Sequence, residues 1–268
     1  MLKDITLGQY FPGDSRIHML DPRTKLLVVV IYIVALFLAD GWLGYGLVLA
    51  FLSLCISMSR IPLKSITRGM KPVALIVVFT GLLNLFFTEG TTELFTVFGF
   101  TLTWEAVERA IFMVSRILLL ITGTFLLTYT TSPIALTDGL ESLLNPLKVL
   151  KFPVHELSMM MCIALRFIPT LIEETDKIIS AQKARGADFE SGSLLERARA
   201  LVPILVPLFI SAFRRADELA VAMECRCYQG GEGRTRMKEL HLHGYDAIAL
   251  LCCAIIIAAV CVLRSFGL

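Results

Sequence analysis

Five apolar runs divide this chain: Leu26–Ala39, Leu43–Met58, Val73–Thr88, Ala110–Thr130 and Tyr245–Leu263. Segments this apolar belong in hydrocarbon, where every backbone N–H and C=O must find its partner inside the protein. An α-helix meets that demand within one segment, so the runs read as five transmembrane helices. The shorter runs hold 14–16 residues. At 1.5 Å per residue they reach only about 21–24 Å, against a hydrocarbon core of roughly 30 Å. Lys25, Trp42 and Tyr45 extend the first two by snorkelling and interfacial anchoring. A buried hairpin that does not fully span is the rival reading for that pair.

Composition agrees with a membrane location. Apolar residues make up 56% of the 268 positions and the mean hydropathy is +0.74, above the 45–50% typical of soluble domains on a broader count. A net charge of +2 offers nothing for nucleic acid. The charged residues cluster: the stretch Thr130–Gly244 holds 14 of the 25 Lys and Arg. The organisation expected is therefore a cytoplasmic N-terminal segment with four spans over 1–131, a polar insert over 132–244, and a last span over 245–268. The first 25 residues lack the apolar core of a signal peptide, so the first run is expected to be retained as a span. The seven cysteines have no disulfide-framework spacing. Cys252, Cys253 and Cys261 fall in an apolar run as packing residues, and Cys225 and Cys227 suit a reduced cytosolic setting.

The loops orient the spans. Lys3, Arg16, Arg23 and Lys25 precede the first, and Arg60, Lys64, Arg68 and Lys71 lie between the second and third. The Asp40–Trp42 turn has no basic residue, and neither has the stretch Glu89–Glu108, which carries four glutamates. The positive-inside rule then places the N-terminus and the insert in the cytoplasm. Two polar residues, Asn84 and Arg116, lie within spans and are candidates for function or for structural pairing. No acidic or histidine chain crosses the membrane as a proton relay would need.

The insert reads as three amphipathic helices lying along the membrane face. Ser132-Pro133 is an N-cap followed by proline at the first helical position, for a helix ending near Asn145-Pro146. A second helix runs from about His155 to Ala184, with a bend expected at Pro169. A capping box, Ser193-x-x-Glu196, opens the third. Its apolar stripe is Leu195, Ala198, Val202, Leu205, Phe209, Ala212, Ala216, Leu219 and Met223, with kinks expected at Pro203 and Pro207. The second and third helices end alike, in AQKARGADF and AMECRCYQG. Arg185 and Arg226 stand 41 positions apart, each nine residues after an aspartate (Asp176, Asp217). Small neighbours, Ala184 and Gly186 or Cys225 and Cys227, leave each guanidinium uncovered. A planar, permanently charged fork suits a socket on a partner surface. The plainer reading is an arginine favoured by the helix dipole in a last turn.

Together these segments resemble the transmembrane T component of energy-coupling factor transporters. The resemblance is carried by YFPGDSRIHMLDPRTKLL near the N-terminus, by AQKARGADF, and by RRADELAVAMECRCYQGGEGRTR, in that order. It implies a scaffold without catalysis, binding no cofactor, with ATP and Mg on partner chains. Two cytoplasmic ABC-type ATPase subunits are the implied partners of Ala184, Arg185, Gly186, Glu224, Cys225, Arg226 and Cys227. A small membrane protein that captures substrate, the S component, is the other, and vitamin uptake is the cargo expected first. Soft Met159, Met160 and Met161, with Leu165, are candidates for its docking; packing against the spans is the alternative. The implied location is the cell membrane of a prokaryote. One departure is Cys225-Arg226-Cys227, where the family more usually has Ala-Arg-Gly. Losing the glycine removes an easy left-handed stop, so the helix is expected to run on toward Gly230-Gly231.

Other classes leave identifiable gaps. No Gly-x-x-x-x-Gly-Lys-Ser/Thr loop is present, and Gly230–Thr235 lacks the lysine and a preceding strand. A membrane-embedded lipid-modifying enzyme would need a nucleophile with a base, a metal cluster or paired carboxylates; Glu173, Glu174 and Asp176 read instead as a solvated helix face. A secondary transporter would show inverted repeats of its spans. Cys225-x-Cys227 with His241-x-His243 offers zinc ligand types, but in no finger spacing. A dedicated cobalt or nickel importer uses a similar T component and differs in cargo, which would sit on another chain.

Overall fold

The computed structural model describes residues 10–87, 93–97, 100–187, 189, 193–231 and 240–266. Lys3, Glu89, Asp188 and the Glu232–Thr235 part of the glycine-rich stretch lie outside the described residues. The architecture is helical: α1 (Pro22–Leu38), α2 (Trp42–Ser59), α3 (Leu63–Phe87), α4 (Trp104–Thr130), α5 (Pro133–Leu144), α6 (Val154–Ala184), α7 (Leu194–Cys225) and α8 (Gly244–Ser265). A short 3-10 helix, Asn145–Leu150, follows α5. Between α3 and α4 stands an unforeseen antiparallel hairpin, β1 (Glu93–Val97) and β2 (Phe100–Thr103), with Val97 opposite Phe100 and Glu93 opposite Thr103.

The described residues form two compact units. One takes residues 10 to Ser142 and the chain from Leu240 onward; the other runs from Leu143 to residue 231. Thus α5 falls mostly with the first unit, and the division comes later in sequence than residue 132. Gly139 explains the attachment, because a Cβ there would stand 2.9 Å from Pro22 Cβ. Only a residue without a side chain permits that approach of α5 to the start of α1.

In the first unit α1 packs against α8 and α4, α2 against the same two helices, and α3 along α4. Tyr32, Leu36, Val48, Leu52, Leu119 and Val260 are the heart of the core. Tyr32 donates its hydroxyl to the Leu119 carbonyl at 2.9 Å. The ring fits because residue 123 is glycine; a Cβ there would lie 2.5 Å from Tyr32 Cε1. Outward faces stay apolar: Leu75, Phe79 and Phe87 of α3 are all exposed, as lipid-facing side chains are in a bilayer. A second cluster, Ile61, Ile66, Leu126 and Tyr129, closes the α3–α4 contact.

Among the described residues, five helices are long and apolar enough to cross a membrane: α2, α3, α4, α6 and α8. By length and composition alone α6 stands in that set and α1 just outside it, although α1 packs between α4 and α8. At 17 residues, α1 falls just below the length, whereas α6 enters on the strength of its first half. The window in α6 is the least apolar of the five, with mean hydropathy 1.3 against 2.8 for α8. Two spans also begin earlier than their apolar runs. Lys64, Arg68 and Lys71 belong to the first turns of α3 rather than to a loop, with Pro72 inside that helix. Arg60, in the left-handed conformation, ends α2.

The Ser132-Pro133 start of α5 is as expected, with Ser132 Oγ accepting from Ala135 N at 3.3 Å. Both bonds of the Ser193–Glu196 capping box are present, at 2.8 and 3.4 Å.

Candidate functional site

The two arginine-bearing helix ends are built the same way. Arg185 is the C-cap of α6; Gly186 follows at φ +86°, Gly186 N donates to Lys183 O and Ala187 N donates to Gln182 O, both at 3.0 Å. Arg226 is the C-cap of α7; Cys227 follows at φ +53°, Cys227 N donates to Glu224 O at 2.8 Å and Tyr228 N to Met223 O at 3.1 Å. Each is a complete Schellman motif: a left-handed residue just past the cap, with nested backbone bonds that satisfy the last carbonyls. The helix therefore does not run on to Gly230-Gly231, as the loss of glycine had led us to expect. Cys227 accepts the left-handed conformation, at a strain cost of about 1–2 kcal/mol for an L-residue, and α7 ends at Cys225. The two nested bonds close the Glu224 and Met223 carbonyls at this helix end and offset that cost.

Ala184, Arg185, Gly186, Glu224, Cys225, Arg226 and Cys227 are all exposed. Among the described residues neither arginine has a carboxylate partner.

How the two ends are held apart follows from the packing of α6 on α7. Arg215 Nη2 donates to Glu174 Oε2 at 2.9 Å, and Gln182 Nε2 donates to Pro203 O at 3.4 Å. Positions rise along α6 as they fall along α7, so the pair is antiparallel and the tips point to opposite ends. Gly231 confirms the sense at the far end, where a Cβ would meet the His155 ring at 2.5 Å. Glu174 and Arg215 are themselves 41 residues apart, the spacing of Arg185 and Arg226. The crossing thus joins equivalent positions of the repeat, and each arginine lies 11 residues beyond it. At 1.5 Å per residue each arm is about 16 Å long. Glu174 is correspondingly no bystander on a solvated face. Its carboxyl is held below the ordinary range first by the Ser211 hydroxyl and further by Arg215, against some desolvation.

Elsewhere the sequence reading needs correction. On α7 the apolar stripe is exposed at Leu195, Val202, Leu205 and Phe209, as a face meant for the membrane or a partner would be, and among the described side chains Ile204, off that stripe, is the buried one. The helical period was read correctly, but the apolar surface extends around most of α7, so it did not single out the face that meets α6. In α6, Met160 is exposed while Met159, Met161 and Leu165 are half-buried. Asn84 donates to Thr80 O of its own helix at 3.0 Å rather than to a neighbour. Arg116 turns inward onto aromatic rings, with Cζ 5.6 Å from the centroid of Phe37 and 5.8 Å from that of Tyr45.

One polar cluster escaped sequence reasoning. Asp246, 1% exposed, accepts from Asp21 N at 2.9 Å and from His243 N at 2.8 Å. Lys25 Nζ donates to the carbonyls of His18 and Thr130 at 3.1 and 2.9 Å. These bonds tie the N-terminal segment to α8 and to the end of α4, and buried charges persist only with such partners. His18 anchors the preceding turn: Nε2 donates to Phe11 O at 3.0 Å and Nδ1 accepts the Ser15 hydroxyl at 2.6 Å. The resembling motif Tyr10–Leu27 is thus a structural plug. Its partner Asp246 gave no signal, because one aspartate at the start of an apolar run looks like an ordinary helix N-terminus.

The chain is thus a polytopic helical protein of membrane type with two exposed helix tips built alike. Comparison with known proteins gives the family. The family model for CbiQ, described as cobalt transport protein, matches residues 13–237. Relatives described as energy-coupling factor transporter transmembrane protein EcfT are 55% identical in Clostridium kluyveri, covering 96% of each chain. They are 54% identical in Ruminiclostridium cellulolyticum over 92% of each, and 48% in Bacillus subtilis over 99% of this chain and 100% of the relative. The chain belongs to this family of energy-coupling factor transporter transmembrane proteins.

Proposed function

We propose that the chain is the scaffold and coupling subunit of an ATP-driven importer in the cell membrane, with α6, α7 and the N-terminus on the cytoplasmic side. Two ATPase subunits, which carry ATP and Mg, bind the exposed ends of α6 and α7, and Arg185 and Arg226 each enter a groove on one of them. An S component holds the substrate and docks on this chain, with Met159, Met160, Met161 and Leu165 as part of the contact. The observation that carries this reading is the identical construction of two uncovered arginine tips. Closure of the ATPase pair moves both tips at once, and the α6–α7 pair passes that movement to the membrane. On this reading the chain needs no catalytic group or cofactor of its own. Vitamins are the cargo favoured; the family's description as a cobalt transport protein favours cobalt or nickel ions as the second reading.

Purification of the tagged chain in mild detergent should bring down two ATPases and a small hydrophobic protein. Arg185→Ala with Arg226→Ala should leave membrane insertion intact while abolishing cargo uptake, and Arg→Lys at both should restore only part, since an ammonium does not reproduce the planar fork. Wild-type uptake by the double alanine variant would overturn the assignment. Uptake assays with labelled vitamins and with cobalt then separate the two cargo readings.

A further inference from the structure

Among the described residues α3 packs on α4 and β2, and its two sides differ in kind. Gly69 and Gly81 lie against α4, where an added Cβ would stand 2.9 Å from Phe125 Cε2 and 3.0 Å from Val114 Cγ2. Ile66 and Val77 are buried on that same side. The opposite face is the row Lys64, Arg68, Lys71, Leu75, Phe79 and Leu82, in steps of four, three, four, four and three, which the helical period sets in one line. All six are exposed. None of the three cations forms an ion pair with a described residue, and α3 itself contains no acid. Helix contacts in membranes favour small residues. The two glycines meet α4, whereas the outward row holds only bulky side chains, so lipid fits it better than another helix. From Lys71 to Leu82 is 11 residues, about 16 Å, close to half of a roughly 30 Å hydrocarbon core and so the depth of one acyl chain. The three cations are neighbours at three- and four-residue spacing, with about 5–6 Å between Cβ atoms, near enough to share one phosphate.

We infer that this face of α3 holds an anionic phospholipid, its headgroup phosphate shared by Lys64, Arg68 and Lys71 and an acyl chain laid along Leu75, Phe79 and Leu82. A zwitterionic lipid carries the same phosphate beside a compensating cation, and gains less from three positive charges. The inference requires that the chain be membrane-inserted, but not that the coupling role of α6 and α7 be correct.

The test is native mass spectrometry of the full chain, delipidated in detergent and offered defined probes. These are phosphatidylglycerol, phosphatidylcholine with the same acyl chains, and glycerophosphoglycerol, the anionic headgroup without chains. Wild-type protein is expected to retain phosphatidylglycerol about tenfold or more over phosphatidylcholine. The free headgroup at millimolar concentration should fail to displace it, which separates a lipid from a soluble phosphate. Arg68→Gln/Lys71→Gln should lower phosphatidylglycerol retention about tenfold or more, at about fivefold for each cation. The same loss of charge at exposed Lys148 and Lys151, as Lys148→Gln/Lys151→Gln, should leave retention unchanged. Equal retention of phosphatidylcholine, displacement by the free headgroup, undiminished retention in Arg68→Gln/Lys71→Gln, or an equal loss in Lys148→Gln/Lys151→Gln would each overturn the proposal. Should the α3 double variant fail to fold, Lys64→Gln takes its place, with an expected loss of about fivefold.

Discussion

Reversing the charges at the α6–α7 crossing tests whether Glu174 and Arg215 hold the two arms in register. The side chains are 23% and 34% exposed, so the pair is a surface ion pair worth about 0.5–1 kcal/mol, not the several kcal/mol of a buried one. Glu174→Arg or Arg215→Glu removes that attraction and adds a like-charge contact of similar size, for a total near 1–2 kcal/mol. A shift of about 1.4 kcal/mol is tenfold in an equilibrium, enough to make a minor arrangement of the crossing visible without unfolding either helix. Ala181 and Ala222 are exposed equivalents on the two arms, seven residues beyond the crossing. Spin labels there, with the exposed native cysteines replaced by serine, read the arm separation by electron–electron dipolar coupling. The wild type should give one narrow distribution, each single reversal a broadened one, and the double reversal Glu174→Arg/Arg215→Glu a narrow one again. Acid should mimic the single variants. The Glu174 carboxyl is held below its ordinary 4.5, so its contribution is present above that pH and lost as pH falls through the lowered value. Single variants as narrow as wild type, or a double reversal as broad as the singles, would refute the reasoning.

Three further outcomes follow from local geometry. Cys227→Gly should raise thermal stability in detergent by about 0.5–1 kcal/mol, the left-handed strain relieved less glycine's extra chain entropy, while Gly186→Ala should lower it by about 1 kcal/mol. Gly123→Ala should cost about 1–3 kcal/mol of stability, because the added Cβ meets the Tyr32 ring in a packed core. The His18 imidazole is held below its ordinary 6.5 mainly by burial, so the Phe11–His18 turn is fully formed above that pH and loosens as pH falls toward the lowered value. Amide hydrogen exchange there, corrected for intrinsic rates, should show protection falling between pH 7.5 and 5.5 in wild type and little change in His18→Asn.

Apolar runs, caps and the duplicated arginines were legible because each depends on neighbours in sequence. Ser193 and Glu196 announce a helix start from three residues' distance, and the run Tyr245–Leu263 needs nothing else to be a helix in lipid. What depended on long-range pairing was not legible. Asp246 finds Asp21 across 225 residues, and no local pattern marks such a partner. The face of α7 that meets α6 was hidden for a different reason: Leu201, Val202, Val206, Phe209, Ile210 and Phe213 cover one half of the circumference and Ile204 and Leu208 part of the other, so periodicity had little polar face to contrast with in the first half of the helix. Cys227 misled because propensity forecast the cost of a left-handed cysteine without weighing the carbonyls that the Schellman bonds satisfy.

The repeat itself has limits, and they carry meaning. Glu174 and Arg215, Asp176 and Asp217, Ala181 and Ala222, Arg185 and Arg226 correspond at one spacing, and the two caps have the same hydrogen bonds. Before the crossing the correspondence stops: Pro169 of α6 has no counterpart at that spacing, and Pro203 and Pro207 of α7 face no prolines in α6. Only the arm between crossing and tip is duplicated. On the proposed coupling role, two levers of equal length on a common pivot would convert equal forces at their tips into a change of crossing angle, with no net shift of the pivot. An arm lengthened on one side would lose that balance. Inserting one helical turn between Glu174 and Arg185 should therefore impair coupling more than inserting the same turn into both arms, despite the larger total change in the second case.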